Sequence, residues 1–273
     1  MTAVRAFRIF AAEAFRDGLR RRLAFAVALV LAIGLAGAQS CTQLGIGSME
    51  VNGEMIDGSV FGGFLAPILF GFQAWAVLAI TGLLAADHLA RPLAEGSAVL
   101  WLARPVSRGV WAAARLSGAL GVALLCGVLL LGGTGSMLVL RQGVAIEPAF
   151  AAAAATALGA LVVASLAMTA SLALGRTAVI LLVLLGLVFI AFANGVGLAA
   201  ELAHPDIGVG GLIGAVDRYG PPLFTAIASA VAQWNPHLDP GDTYTQSMLR
   251  LAVWAVGGCL LLVAAFRTRE IES

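Results

Sequence analysis

The sequence predicts an all-α membrane protein with six transmembrane helices, and three observations carry that prediction: its overall apolarity, the spacing of its apolar runs and the placement of its arginines. Hydrophobic residues make up 60% of the 273 and charged residues 11%, with a mean hydropathy of +0.97, whereas about a quarter of the residues in a soluble domain are charged. A hydrocarbon core about 30 Å thick is crossed by about 20 helical residues at 1.5 Å each. Candidate spans lie at 23–41, 61–86, 112–140, 149–175, 177–200 and 247–266 within a single transmembrane domain covering 1–273. An even number puts both termini on one side.

Charge placement chooses that side. With the N-terminus inside, Arg5, Arg8, Arg16, Arg20, Arg21, Arg22, Arg91, Arg104, Arg108, Arg115, Arg176, Arg267 and Arg269 are cytoplasmic, and only Arg141, Arg218 and Arg250 are outside. Positive residues accumulate on the cytoplasmic face, so both termini are expected there. Spans four and five are separated only by Gly175, Arg176 and Thr177, which predicts a tight hairpin with Arg176 at the inner headgroups.

Residues 1–22 precede the first span. At 100° per residue Val4, Phe7, Phe10, Ala11, Ala14, Phe15 and Leu19 form one arc; Arg5, Arg8, Glu13, Arg16, Asp17 and Arg20 form the other, with Ile9 misplaced among them. This is the pattern of an amphipathic helix lying in the inner interface, with Phe7, Phe10, Phe15 and Arg16 as its principal contacts. Arginines followed by an apolar run ending Ala36-Gly37-Ala38 have the outline of a cleavable signal. The long acid-containing segment ahead of that run reads as a helix instead, so the first span is expected to be retained.

The loop at 88–109, between spans two and three, is too long for a turn. Gly96 and Pro105 bracket about eight residues, Ser97 is suited to cap a short helix there, and Val99, Leu100, Trp101 and Leu102 would be displayed among charges at the cytoplasmic surface. Exposed apolar residues with a charged rim are the composition of a docking site.

A span ending in an acid, then Glu95-Gly96-Ser97, a short Leu-rich stretch and Arg104-Pro105-Val106-Ser107-Arg108, resembles the ABC type-2 permease family. So do residues 12–22 leading into span one and Trp234-Asn235-Pro236 before the last span. Permeases of the nitrous oxide reductase copper-maturation system are among the relatives it is similar to. The resemblance implies that Glu95, Gly96, Leu100, Trp101, Arg104, Pro105 and Arg108 couple to a cytoplasmic ABC ATPase present in two copies, which binds ATP and Mg. It further implies a homodimer in the bacterial inner membrane, and re-entrant outer helices within 201–246 gated by Pro221, Pro222, Asn235 and Pro236. Arg115 stands where that family commonly has a lysine, and Arg91-Pro92 interrupts its acidic stretch. Some relatives transmit force to an extracytoplasmic partner, such as a copper chaperone or a motility complex, without transporting a substrate; that is the alternative function.

Several classes are disfavoured. The chain contains no lysine and no glycine-rich phosphate loop, so ATP hydrolysis falls to another subunit. Within the spans the notable polar groups are Ser, Thr, Gln73 and Asn194, whereas ion-coupled carriers ordinarily hold acids or histidines at that depth. Cys41, Cys126 and Cys259 match no metal spacing, and His204, His237 and Cys41 sit in different outer segments, so no metal site is expected. No nucleophile motif, own cofactor or nucleic-acid partner is expected. The outer segments 42–60 and 201–246 are acidic, as topological charge sorting produces. Between Gly210 and Trp234 two short helices dipping into the outer leaflet fit better than a seventh span. The small residues of 151–175 suit close helix packing and a dimer interface.

Overall fold

The computed structural model describes residues 3–20, 29–30, 32–34, 36–37, 48–51, 54–96, 107–142, 145–203, 211–234 and 242–268. Its first helix, α1, is Ala3–Arg20. Of the first expected span, the described residues 29–30, 32–34 and 36–37 are helical; the rest lie outside the described residues. Strands β1 (Ser48–Val51) and β2 (Glu54–Asp57) then pair antiparallel, Ser48 opposite Asp57 and Val51 opposite Glu54. This short pairing is the exception in an otherwise helical chain. Its signal was the Asn52-Gly53 dipeptide between two short runs, a favoured two-residue hairpin connection.

Helix α2 runs Gly58–Ala94. Helix α3 (Arg108–Gly127) passes through a π-helical turn, Val128–Gly132, into α4 (Gly133–Gln142). Helices α5 (Glu147–Ala173) and α6 (Arg176–Ala203) form the expected tight hairpin. Two short helices follow, α7 (Gly211–Tyr219) and α8 (Leu223–Ala232), and α9 (Thr243–Thr268) completes the described chain. Among the described residues five segments are long and apolar enough to cross a membrane: Ile68–Leu89, Arg108–Leu140, Glu147–Ala173, Arg176–Gly197 and Thr243–Thr268. These correspond to the expected spans two to six, the last four within four residues of their predicted limits and the second starting at Ile68 rather than at 61, and the chain is a multi-pass membrane protein by this architecture.

One boundary moves with consequence. The loop expected from residue 88 begins later, because α2 continues two turns past Asp87, with Arg91 and Pro92 inside it. Packing explains the extension: His88, Leu89 and Pro92 are buried, and Arg91 Nε pairs with Glu95 Oε1 at 2.6 Å one turn on. Gly96 then stops the helix with φ +71°, the left-handed geometry of a glycine C-cap.

Helix α5 is the hub, packed on α2, α3, α8 and α9. Hydrocarbon offers no gain for burying one apolar helix on another, so close van der Waals fit between small surfaces must hold the bundle. Gly159 accordingly meets Leu78 and Leu223, Gly82 of α2 meets Val163 and Val183, and Gly258 of α9 meets Ser165. The small residues of 151–175 therefore serve packing within this chain. Large apolar side chains face outward on α6 (Leu181, Leu185, Val188, Phe192) and on α9 (Leu249, Val253, Leu260).

Candidate functional site

Contacts sort the functional residues to the two ends of the bundle. One end gathers α1, the last turns of α2 and the first turns of α3. Ala11 and Ala14 lie on Gly118, Phe15 on Gly121 and Gly18 on Val122, so over these turns the two helices run side by side in the same sense. The buried stripe of α1 is Ala6, Phe10, Ala14 and Gly18. Phe10 thus packs wholly against protein, Phe7 and Phe15 are half-buried, and Arg16 is exposed, as are Val4 and Leu19. The apolar arc read from the sequence is divided: its small members seat α1 on α3 and its rim stays open.

Electrostatics reinforce that seat. Arg115 is buried, with Nη1 3.3 Å from Asp17 Oδ2 and Nη2 3.8 Å from Glu13 Oε1. Its guanidinium also lies 5.3 Å from the ring centre of Trp111, and Trp111 stacks on Phe266 of α9 at 5.4 Å. A single cation therefore ties α1 to α3, and its aromatic neighbour ties α3 to α9. At the same end Arg176 Nε pairs with Asp87 Oδ1 at 2.6 Å, and Gly109 sits beside Arg267. Charges assigned to one membrane face by topology are thus neighbours in space.

Of the expected coupling residues, Glu95 and Arg108 are exposed and Gly96 ends α2; Leu100, Trp101, Arg104 and Pro105 lie outside the described residues. Ser107 caps α3, its hydroxyl accepting from Val110 N at 3.3 Å.

No family model matches this sequence, and no curated protein does. The opposite end of the bundle carries its own set of polar contacts.

There α7 and α8 meet at Pro221 and Pro222, both buried, with Leu223 N donating to Pro221 O at 2.8 Å and Ala226 N to Pro222 O at 3.0 Å. Arg250 of α9 supplies what a helix C-terminus lacks: its Nη2 donates to the carbonyls of Asp217, Arg218 and Gly220 at 2.6, 2.8 and 3.1 Å. Trp254 Nε1 reaches Tyr219 O at 3.2 Å. Asn194 of α6, fully buried, donates to Asp217 Oδ1 at 3.2 Å, and Gly197 lies flat on that carboxylate. Trp234 Nε1 donates to Ala145 O at 2.7 Å while its ring meets Phe70 edge-on. Asn235 and Pro236 lie outside the described residues.

Two fully buried amides of the spans bridge helices. Gln73 Nε2 donates to Val30 O at 2.9 Å, joining α2 to the first span, as Asn194 joins α6 to α7. Sequence reasoning singled out these amides and the two prolines but gave no role to Arg250, Trp254 or the Glu13–Asp17 pair. Nothing in one-dimensional spacing links residues that far apart. A cleft of about 400 Å³ opens beside the π-turn, lined by Phe70, Val128, Gly132, Phe150 and Ala157. Its hydroxyls, Ser136 and Thr156, donate to Gly132 O and Ala152 O one turn back, so the cleft is effectively apolar. Among the described residues no group of three or more His, Cys, Asp or Glu is placed to hold a metal.

Proposed function

We propose that this chain is the membrane-spanning permease subunit of an ABC-type exporter, which couples ATP hydrolysis by a separate cytoplasmic ATPase to movement or extraction of a substrate toward the outer face. The observation that carries the reading is the bracing of the two helix ends that flank the segment 97–106, the glycine stop of α2 at Gly96 and the serine-capped start of α3 at Ser107. The α3 end is tied to α1 by Arg115 and to α9 by the Trp111–Phe266 stack. A push on this segment would reach four helices as a body, as a coupling element requires: energy passes between sites through contiguous packed elements.

In this reading Glu95, Gly96, Leu100, Trp101, Arg104, Pro105 and Arg108 meet the ATPase, which binds ATP and Mg, and the chain itself performs no bond chemistry. The elbow at Pro221 and Pro222 is the outer gate, re-entrant from the outer side. Two copies of the chain pair with two ATPase subunits in a bacterial inner membrane, both termini cytoplasmic.

The test is purification of the tagged chain from its native membrane in mild detergent, with mass spectrometry of what accompanies it. A P-loop ATPase that is recovered with the wild type and lost from the Glu95→Ala, Arg104→Ala double variant supports the proposal. Recovery of the chain alone, with the double variant fully active in cells, sinks it.

A further inference from the structure

Among the described residues nothing packs on the face of α1 opposite its buried stripe. At 100° per residue Arg5, Arg8, Ile9, Ala12 and Arg16 share one arc, turned away from Ala6, Phe10, Ala14 and Gly18. With Val4 they line a shallow concave patch. The acids of α1 are absent from it: Glu13 and Asp17 turn to Arg115. Among the described residues no acid pairs with Arg5, Arg8 or Arg16. The patch therefore carries three uncompensated guanidinium groups, interleaved with Ile9, 45% exposed, and flanked by Val4, 71% exposed.

We propose that this face binds the phosphate headgroups of anionic phospholipids in the leaflet at the α1 end of the bundle. Arg5, Arg8 and Arg16 would meet the phosphates, and Val4, Ile9 and Leu19 would enter the adjoining acyl region. Charge complementarity argues for the ligand: a guanidinium fork matches phosphate oxygens in pairs. The exposed aliphatic residues argue for the membrane as its source, because a helix carrying arginines beside open Val, Ile and Leu is suited to the boundary between headgroups and chains. Position agrees, since α1 lies along α3, part of the apolar run Arg108–Leu140. The inference stands apart from the ATPase reading and holds whether or not an ATPase docks.

The experiment is native mass spectrometry of the purified full chain in non-ionic detergent, titrated with phosphatidylglycerol and, separately, phosphatidylcholine of the same acyl composition. The wild type should bind the anionic lipid about tenfold more tightly, and the Arg5→Gln, Arg8→Gln, Arg16→Gln variant should lose that preference while binding phosphatidylcholine unchanged. Should the triple variant lose helical content by circular dichroism, Arg8→Glu, a single exposed change, gives the same comparison with a smaller loss. Equal phosphatidylglycerol binding by folded variant and wild type overturns the proposal. Loss of a co-purifying cytoplasmic protein with lipid binding intact also overturns it, and assigns the face to a protein partner.

Discussion

Arg115 and Asp17 stand 98 positions apart in the chain and 3.3 Å apart in space, joining α3 to α1. The arginine is buried and its two acidic partners are partly open, with side chains 33% and 42% exposed. Solvent weakens the pair from the acidic side, and burial makes the cation costly to leave alone.

Replacing Arg115 with Met should therefore cost about 1–3 kcal/mol, between the values typical of exposed and fully buried pairs. Asp17→Asn should cost less, because Glu13 remains. A double-mutant cycle on thermal unfolding in detergent, read beside hydrogen exchange over residues 3–20, measures the coupling; additive effects would mean that the pair does not hold α1.

Gly118 leaves no room for a side chain. A Cβ there would strike Ala14 and lie 2.8 Å from Ala11 O, so Gly118→Ala should push α1 off its seat at about 1–3 kcal/mol. Gly186, in mid-α6, has nothing within 4 Å of a built Cβ; Gly186→Ala should be neutral or stabilising by up to about 1 kcal/mol through helix propensity. Melting temperatures of the two variants in one detergent test the contrast.

The elbow between α7 and α8 depends on Arg250, which serves three carbonyls from one nitrogen. Arg250→Gln should loosen it by about 2–3 kcal/mol, since hydrogen bonds to a charged donor are the stronger kind. Trp254→Phe, which removes one neutral bond to Tyr219 O, should cost about 1 kcal/mol. Faster amide exchange at residues 216–223 in both variants, larger for Arg250→Gln, is the expected record.

The sorting of arginines sets the expected orientation. In a background with Cys41, Cys126 and Cys259 replaced, a cysteine at exposed Glu95 should react with an impermeant thiol reagent only after the inner face is opened. One at exposed Arg218 should react in intact cells. Labelling of both sites from the same side would refute the assigned topology.

Much of the architecture was legible in one dimension. Spans two to six, the hairpin at Arg176 and the two short helices around Pro221 and Pro222 all follow from apolar run length and from glycine and proline punctuation, which are local properties. The β1–β2 hairpin leaves a local signal too, in the Asn52-Gly53 dipeptide between its strands. The extra turns of α2 were not, because Arg91-Pro92 reads locally as a stop and only burial of His88 and Leu89 against other helices overrides it.

Length and hydropathy thus mark which segments are able to cross a membrane, because the bilayer acts on each segment separately. Which residues of those segments meet is another matter. The seat of Ala14 on Gly118, the burial of Arg115 between Trp111 and two acids, and the gathering of the α7 carbonyls by Arg250 arise only when the helices pack. Side-chain fit and pairing between distant segments leave no periodic trace along the chain, so the fold alone supplied them.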